Sequence, residues 1–168
     1  MGTGKLYNRP KRLIATGCKH LAFPRTGSAK PGEADKRGDG FEAGCRVQKV
    51  AYETPRLNDG DGWELFREFF HTHIKNGRLE IGGVFCSTDL VAWRIQQMLN
   101  EMGFRVPDDV QIIGFDGIRR FGGESLYCST IVQPIQKIAE TAVDLLLSKD
   151  RTNIPALVCL PVSYAPWK

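Results

Sequence analysis

Short apolar runs alternate with helical patterns along most of the chain. The runs 81–86 and 110–115 are apolar at nearly every position, which is typical of strands buried on both faces of a sheet. In the segments 63–77 and 90–103, apolar residues instead recur every three or four positions, and both segments close at a glycine, as amphipathic helices do. Such strands and helices alternate at least four times. The pattern predicts an α/β fold, a doubly wound and mainly parallel sheet with helices on both faces.

The same criteria predict the remaining elements and their ends. We expect Asp61 to cap the helix over 63–77 and Asp89 to begin the helix that follows the run at 81–86, because aspartate is common at helix N-termini. Further predicted helices cover 11–17, 34–50 and 135–148, and further predicted strands cover 18–23, 51–54, 129–134 and 156–164.

Composition narrows the class of protein. The 168 residues are 42% hydrophobic and carry a formal net charge of +4, which fits one globular domain and gives no sign of a nucleic-acid surface. No apolar stretch has the length of a leader or of a membrane span. We therefore expect a cytoplasmic protein.

The cysteines and histidines give no pattern of metal or disulfide chemistry. The five cysteines form no C-x-x-C pair, and no histidine lies at zinc-ligand spacing. Cys86 and Cys159 lie inside apolar runs, where a cysteine is usually a small core residue. We therefore expect neither a metal nor a cofactor.

Polar residues that directly follow strands are the candidates for binding, because ligands of parallel sheets bind beyond the carboxyl ends of the strands. Three stretches qualify, namely 25–28, 87–89 and Asp116–Gly117. Residues 87–89 can cap the following helix, contact a ligand, or do both. No long helix directly follows Asp116 in the chain, so helix capping does not account for its charge. The carboxylate is therefore solvated, paired with a basic side chain, or used to bind a ligand.

Arg37 and Trp63 each allow a structural and a functional interpretation. The guanidinium of Arg37 has a fixed fork of donors that suits paired hydroxyls or a carboxylate, although a lone arginine is more often a solvated surface charge. Trp63 either anchors its helix in the core or offers a flat apolar face to a ligand ring. The residue types alone leave both alternatives open.

No specific motif in the sequence indicates an enzyme. There is no nucleophile triad, no glycine-rich phosphate loop after a strand and no metal cluster. One enzymatic alternative is a receiver-type domain with Asp116 as the phosphoacceptor. It requires a further acidic pair and a lysine, neither of which can be assigned in this chain.

From about residue 13 to its end, the chain resembles the effector-binding region of the lactose-repressor and galactose-repressor (LacI/GalR) family. The resemblance is carried by six motifs in the family's order: "LIATGCKHLAF", "RGDGFEAG", "GVFCSTDLVAW", "EMGFRVPDDVQIIGFDG", "STIVQPIQKIAETAVDLLL" and "LPVSYAP". It implies the fold of one lobe of a periplasmic-binding-protein-like protein. It also implies an effector-sensing region of a bacterial transcriptional repressor.

The resemblance assigns roles to individual positions. Arg37 and Asp116 lie where the family's R-x-x-G-F arginine and G-[FY]-D aspartate grip sugar hydroxyls. Thr88 and Asp89 lie where the family usually has N-D or S-D, whose first residue commonly contacts the ligand; the shorter threonine departs from that pattern.

Two further positions complete the implied effector site. Trp63 follows an acidic glycine turn and resembles an aromatic residue that stacks on a sugar face. Gln133 follows the family's T-T-[IV]-x-Q pattern near the crossover between the lobes.

The resemblance also implies what the chain omits. Family members begin with a helix-turn-helix headpiece and a complete first lobe, whereas this chain begins near the end of that lobe. We expect a poorly defined segment over 1–12 and a partial effector-binding domain, mainly the second lobe, over 13–168.

The implied partners follow from that organisation. One partner is a small-molecule effector, which we expect to be a sugar that binds weakly because half of the cleft is missing. The other is DNA, which the protein would contact only through the absent headpiece. The apolar face of the helix over 135–147 needs a covering surface, either the lobe itself or a second copy of the chain. We expect the second copy, in a homodimer, and no membrane is implied. A periplasmic-type sugar-binding protein for transport is the alternative.

Overall fold

The computed structural model describes residues 10–26, 32–57, 62–119, 125–148 and 155–167. In chain order its elements are α1 (Lys11–Ala15), β1 (His20–Ala22), α2 (Glu33–Gln48), β2 (Ala51–Glu53), α3 (Glu64–Thr72), β3 (Ile74–Lys75), β4 (Arg78–Leu79), β5 (Gly83–Phe85), α4 (Asp89–Glu101), β6 (Gln111–Asp116), β7 (Ser129–Val132), α5 (Ile135–Leu147) and β8 (Ser163–Ala165).

Six of the strands form one sheet in the order β2-β1-β5-β6-β7-β8. The first five pair in parallel, and β8 pairs antiparallel with β7. The predicted α/β fold with a mainly parallel sheet is therefore confirmed. Because the parallel strands share one direction, the segments that follow β1, β5, β6 and β7 gather at the same edge of the sheet.

Two apolar layers cover the two faces of the sheet. One layer contains side chains of α3 and α4, and the other contains side chains of α1 and α2. Val84 and Phe85 are successive residues of β5, both 0% exposed, and they belong to different layers. Since successive side chains of a strand point to opposite faces, helices cover both faces of the sheet, as predicted.

The helix predicted over 63–77 ends five residues earlier than expected, at Thr72. After it the chain forms the antiparallel hairpin of β3 and β4. Its turn is Asn76–Gly77, with φ values of 52° and 72°. Asn-Gly accepts two left-handed residues in a row and is a strong hairpin signal. The apolar spacing through Ile74 concealed this signal.

Other predictions of the outer elements were also wrong or lie outside the described residues. The strand predicted over 156–164 is confined to Ser163–Ala165, and a proline at 161 cannot donate to a ladder. Cys159, expected in the core, is exposed, whereas Cys86 is buried as expected. Asp61 lies outside the described residues, and the cap position of α3 is held by Trp63.

The helix α5 lies outside both apolar layers. None of its described residues is buried, and its exposed apolar side chains include Ile135, Leu146 and Leu147. The expectation of an uncovered apolar face agrees with this exposure. No helix within the described ranges has the length and apolar character needed to cross a membrane.

Candidate functional site

Three predicted residues meet at the carboxyl edge of the sheet. Arg37 comes from α2, Asp116 ends β6, and Gln133 follows β7. The Nη1 atom of Arg37 lies 3.6 Å from Oδ1 of Asp116, and Nε2 of Gln133 donates a hydrogen bond of 2.7 Å to the same oxygen. We call these three residues the carboxyl-edge site.

The protein fixes the guanidinium of Arg37 from two directions. Its Nη1 donates a hydrogen bond of 2.6 Å to the backbone carbonyl of Ser87, two residues after the end of β5. Its Cζ atom lies 4.0 Å from the ring centroid of Phe115, where the negative face of the ring attracts a cation. Arg37 is therefore a positioned donor rather than the solvated surface charge that the sequence left possible.

Asp116 has an uncommon backbone conformation. Its φ is 122°, a value that costs a residue with a Cβ about 1–3 kcal/mol and that concentrates at functional sites. The following Gly117 has φ 81°, and a Cβ there would lie 2.9 Å from Cγ1 of Val132. Glycine is therefore required after Asp116, because both the conformation and the space exclude a side chain.

Asp89 lies beneath the carboxyl-edge site and not on its surface. It is 1% exposed. Its Oδ1 accepts a hydrogen bond of 2.5 Å from the Thr130 hydroxyl, and its Oδ2 accepts one of 2.6 Å from the backbone N–H of Ile118. This carboxylate therefore ties the start of α4 to the loop after Asp116 and to β7.

Small neighbours make room for the Asp89 carboxylate. A Cβ at Gly114 would collide with Oδ1 of Asp89 and lie 2.9 Å from Sγ of Cys128. No pattern in the sequence accounts for a glycine inside the strand β6. The reason is the close approach of a buried side chain to the backbone of β6.

Thr88 caps α4. Its Oγ1 accepts a hydrogen bond of 3.2 Å from the backbone N–H of Val91, which satisfies one of the unpaired donors of the first turn. Of the capping candidates at 87–89, Thr88 therefore has this role. A hydroxyl that accepts one bond can still donate another.

Trp63 lies at the start of α3, half-buried against the core. It packs edge-on against Phe66 at a centroid distance of 5.6 Å, and the guanidinium of Arg94 lies 5.9 Å from its ring centroid. The described contacts of Trp63 join it to these two residues and not to the carboxyl-edge site. The interpretation as a helix anchor accounts for its packing.

The carboxyl-edge site has the chemistry of a hydroxyl-binding site. It offers one carboxylate next to a guanidinium and an amide, a set that suits a neutral ligand with both donors and acceptors. A hard metal ion would require several oxygen ligands without a cation beside them. The sequence and the family resemblance singled out these three residues, but they did not predict that the backbone carbonyl of Ser87 and the ring of Phe115 hold Arg37.

Burial raises the pKa of Asp116 above its ordinary value, although the Gln133 hydrogen bond and the Arg37 charge oppose this shift. Between the unfolded and folded pKa values the folded state therefore binds more protons, so stability falls as the pH rises through that window. At neutral pH the charge of Asp116 destabilises the fold.

The substitution Asp116→Asn should consequently stabilise the protein at pH 7, by about 1–3 °C in Tm. The amide oxygen of asparagine can still accept the Gln133 hydrogen bond. The difference from the unsubstituted protein should disappear below the pH at which an unfolded aspartate protonates. Thermal denaturation followed by circular dichroism at pH 7 and pH 3 measures both effects, and a lower Tm for the variant at pH 7 would contradict the argument.

Comparison with known proteins gives the family. The family profile described as a periplasmic binding protein-like domain matches residues 11–163. The ribose operon repressor of Halalkalibacterium halodurans is 30% identical over 141 residues, which are 83% of this chain and 41% of that protein.

Solved structures agree with the family match. A LacI family transcriptional regulator from an Arthrobacter species, in complex with lactose, has a TM-score of 0.66 and 25% identity over 86% of this chain and 54% of its own. The dimeric Lac repressor with an 11-residue C-terminal deletion has a TM-score of 0.80 and 20% identity, over 99% of this chain and 60% of its own. The chain thus spans about half the length of the proteins it matches. It belongs to the periplasmic-binding-protein-like domain family, in the form that LacI-type transcriptional repressors contain.

Proposed function

We propose that this chain is the effector-sensing region of a LacI-type repressor and that it binds sugar hydroxyls at the carboxyl-edge site. The observation that carries the proposal is the pairing of Arg37 and Asp116 at 3.6 Å, beyond the carboxyl ends of the parallel strands. Both side chains are mostly but not fully enclosed, at 19% and 23% exposure. They are held in place and remain open to a ligand.

The pair matches the hydrogen-bonding needs of neighbouring hydroxyls. A hydroxyl donates one hydrogen bond and accepts others. One sugar hydroxyl can therefore donate to Asp116, and the same hydroxyl or the neighbouring one can accept a hydrogen bond from Arg37. Hydrogen bonds to charged groups are the stronger ones, contributing roughly 1.5–3 kcal/mol each. Because the protein already orients the pair, little side-chain entropy is lost on binding.

The other predicted residues take secondary roles in this proposal. Gln133 orients Asp116 through their hydrogen bond of 2.7 Å. Thr88 offers its hydroxyl proton to a ligand from the cap of α4. Asp89 acts by positioning, because its buried carboxylate holds the backbone of Ile118, two residues after Asp116.

Trp63 is the sixth residue of the proposed site. Its half-buried ring lies at the start of α3, and we assign it the apolar wall that a sugar face would stack against. A ligand contact there requires the ring to keep one face free of its partners Phe66 and Arg94.

A sugar is the favoured effector class for two reasons. The donor set suits hydroxyls, and two similar proteins are a ribose operon repressor and a regulator in complex with lactose. These relatives are a repressor and a transcriptional regulator, which supports a binding function over an enzymatic one and over transport. DNA contact would belong to a headpiece, and formation of a dimer would cover the exposed apolar face of α5.

A ligand panel tests the proposal on the chain itself. Ribose, sucrose, lactose and a purine base are titrated to about 20 mM into isotope-labelled protein, and amide shifts are followed by NMR, which detects binding as weak as millimolar. We expect one sugar to shift the signals of Arg37, Asp116 and Gln133 in a saturable way. Shifts confined to other parts of the chain would contradict the site, and a purine base as the ligand would contradict the sugar class.

A further inference from the structure

Three potential metal ligands meet on the sheet face that α3 covers. His20 begins β1, Glu53 ends β2, and His73 directly follows α3. The Nε2 atoms of His20 and His73 lie 3.1 and 2.7 Å from the same Oε1 atom of Glu53. One ligand atom from each residue lies within 4.8 Å of the others. We call these residues the His20–Glu53–His73 cluster.

The imidazole ring of His73 lies between two hydrogen-bond acceptors. Its Nδ1 lies 2.7 Å from the backbone carbonyl of Phe69, and its Nε2 faces the Glu53 carboxylate. A neutral imidazole carries one N–H and can donate to only one of these two acceptors. When Nδ1 donates to the carbonyl, the lone pair of Nε2 faces the Glu53 carboxylate, and a proton or a metal ion between the two satisfies both groups. Histidine ligands of metals are oriented by this kind of second hydrogen bond.

The distances are close to those of a coordinated ion. Zinc binds imidazole nitrogen and carboxylate oxygen at about 2.0–2.2 Å, which separates two ligands of a tetrahedral ion by about 3.4 Å. The nitrogen–oxygen separations of 2.7 and 3.1 Å therefore require the ligands to move apart by only about 0.3–0.7 Å. Glu53 can supply that movement, since its side chain is 41% exposed.

We propose that the His20–Glu53–His73 cluster binds a divalent transition-metal ion, with zinc as the probe. Two imidazoles and one carboxylate make a ligand set that zinc accepts, with a fourth position left for water. Nitrogen ligands also favour zinc, cobalt or nickel over calcium and magnesium. The three ligands come from separate elements, so the ion joins the end of α3 to the β1–β2 edge of the sheet. Binding therefore stabilises this part of the fold.

Zinc binding is tested on the full chain carrying Cys159→Ser, which removes the exposed thiol. We expect calorimetry to give one zinc per chain with a Kd on the order of micromolar, and Tm to rise by about 5–10 °C at 100 times Kd. Cobalt should give the visible absorption of a site with nitrogen and oxygen ligands. The absence of saturable binding up to 1 mM zinc would overturn the proposal.

Matched variants locate the ion. His73→Ala and Glu53→Gln should each weaken zinc binding at least tenfold, whereas His71→Ala, at an exposed histidine in the last turn of α3, should leave it unchanged. Glu53→Gln keeps the size of its side chain, so it serves where His73→Ala lowers folding. Equal affinities for His71→Ala and Glu53→Gln would overturn the proposal, as would a cobalt spectrum with thiolate ligands.

Discussion

Replacing Asp89 with alanine should lower the free energy of unfolding by about 2–4 kcal/mol, and Tm by about 5–15 °C for a chain of this size. Alanine leaves the Thr130 hydroxyl and the Ile118 N–H without the acceptor that each has in the folded protein. A buried polar group without its partner costs roughly 1–3 kcal/mol, and the side-chain volume is lost as well. Urea denaturation followed by circular dichroism measures the loss.

Two further variants separate burial from charge in this prediction. Asp89→Asn keeps one acceptor oxygen but turns an NH₂ group toward the other donor, so we expect an intermediate loss. Asp144→Ala, on the exposed part of α5, should change stability by about 0.5 kcal/mol or less. Equal stability of Asp89→Ala and Asp144→Ala would show that the buried network contributes nothing.

Replacing Arg37 with alanine should weaken sugar binding by about 10- to 150-fold, the equivalent of one charge-assisted hydrogen bond. The change removes a hydroxyl donor and leaves Asp116 with Gln133 as its remaining described partner. Arg37→Lys should rescue little of the affinity. An ammonium lacks the planar fork that stacks on Phe115 while bonding to Ser87 and the ligand.

The matched control for this prediction lies on the same helix. Arg46 is 61% exposed, and its described partners are Glu42 and Tyr52. Arg46→Ala should leave sugar affinity unchanged in the same NMR titration. If Arg37→Ala binds the sugar as tightly as Arg46→Ala, the assignment of Arg37 to the effector site is wrong.

The sheet and its helices were predictable because burial on both faces leaves continuous apolar runs. The place of Asp116 was predictable for a related reason, since parallel strands present their carboxyl ends together, whereas Arg37 and Gln133 were assigned to the effector site by the resemblance to the LacI/GalR family. The role of Asp89 was not predictable in this way. Its partner Thr130 lies 41 positions later, and no local pattern distinguishes a capping aspartate from one that is buried and bonded elsewhere.

The errors have equally physical causes. The helix α3 is shorter than predicted because the residues after His73 form a hairpin around the Asn76–Gly77 turn, although the apolar spacing continues through Ile74. Cys159 was assigned to the core from its apolar neighbours, but Cys159 is exposed together with its neighbours Leu157 and Val158. The His20–Glu53–His73 cluster escaped the search for spaced ligands because its members come from three different elements.

The backbone of Asp116 also limits how the site can change through evolution. At a φ of 122°, β-branched and bulky side chains are strongly disfavoured, and glycine, asparagine and aspartate are the residues tolerated best. Of these, aspartate alone brings a negative charge. If Asp116 binds the effector as proposed, a change of ligand preference that keeps this turn and its negative charge falls to the side chains around position 116.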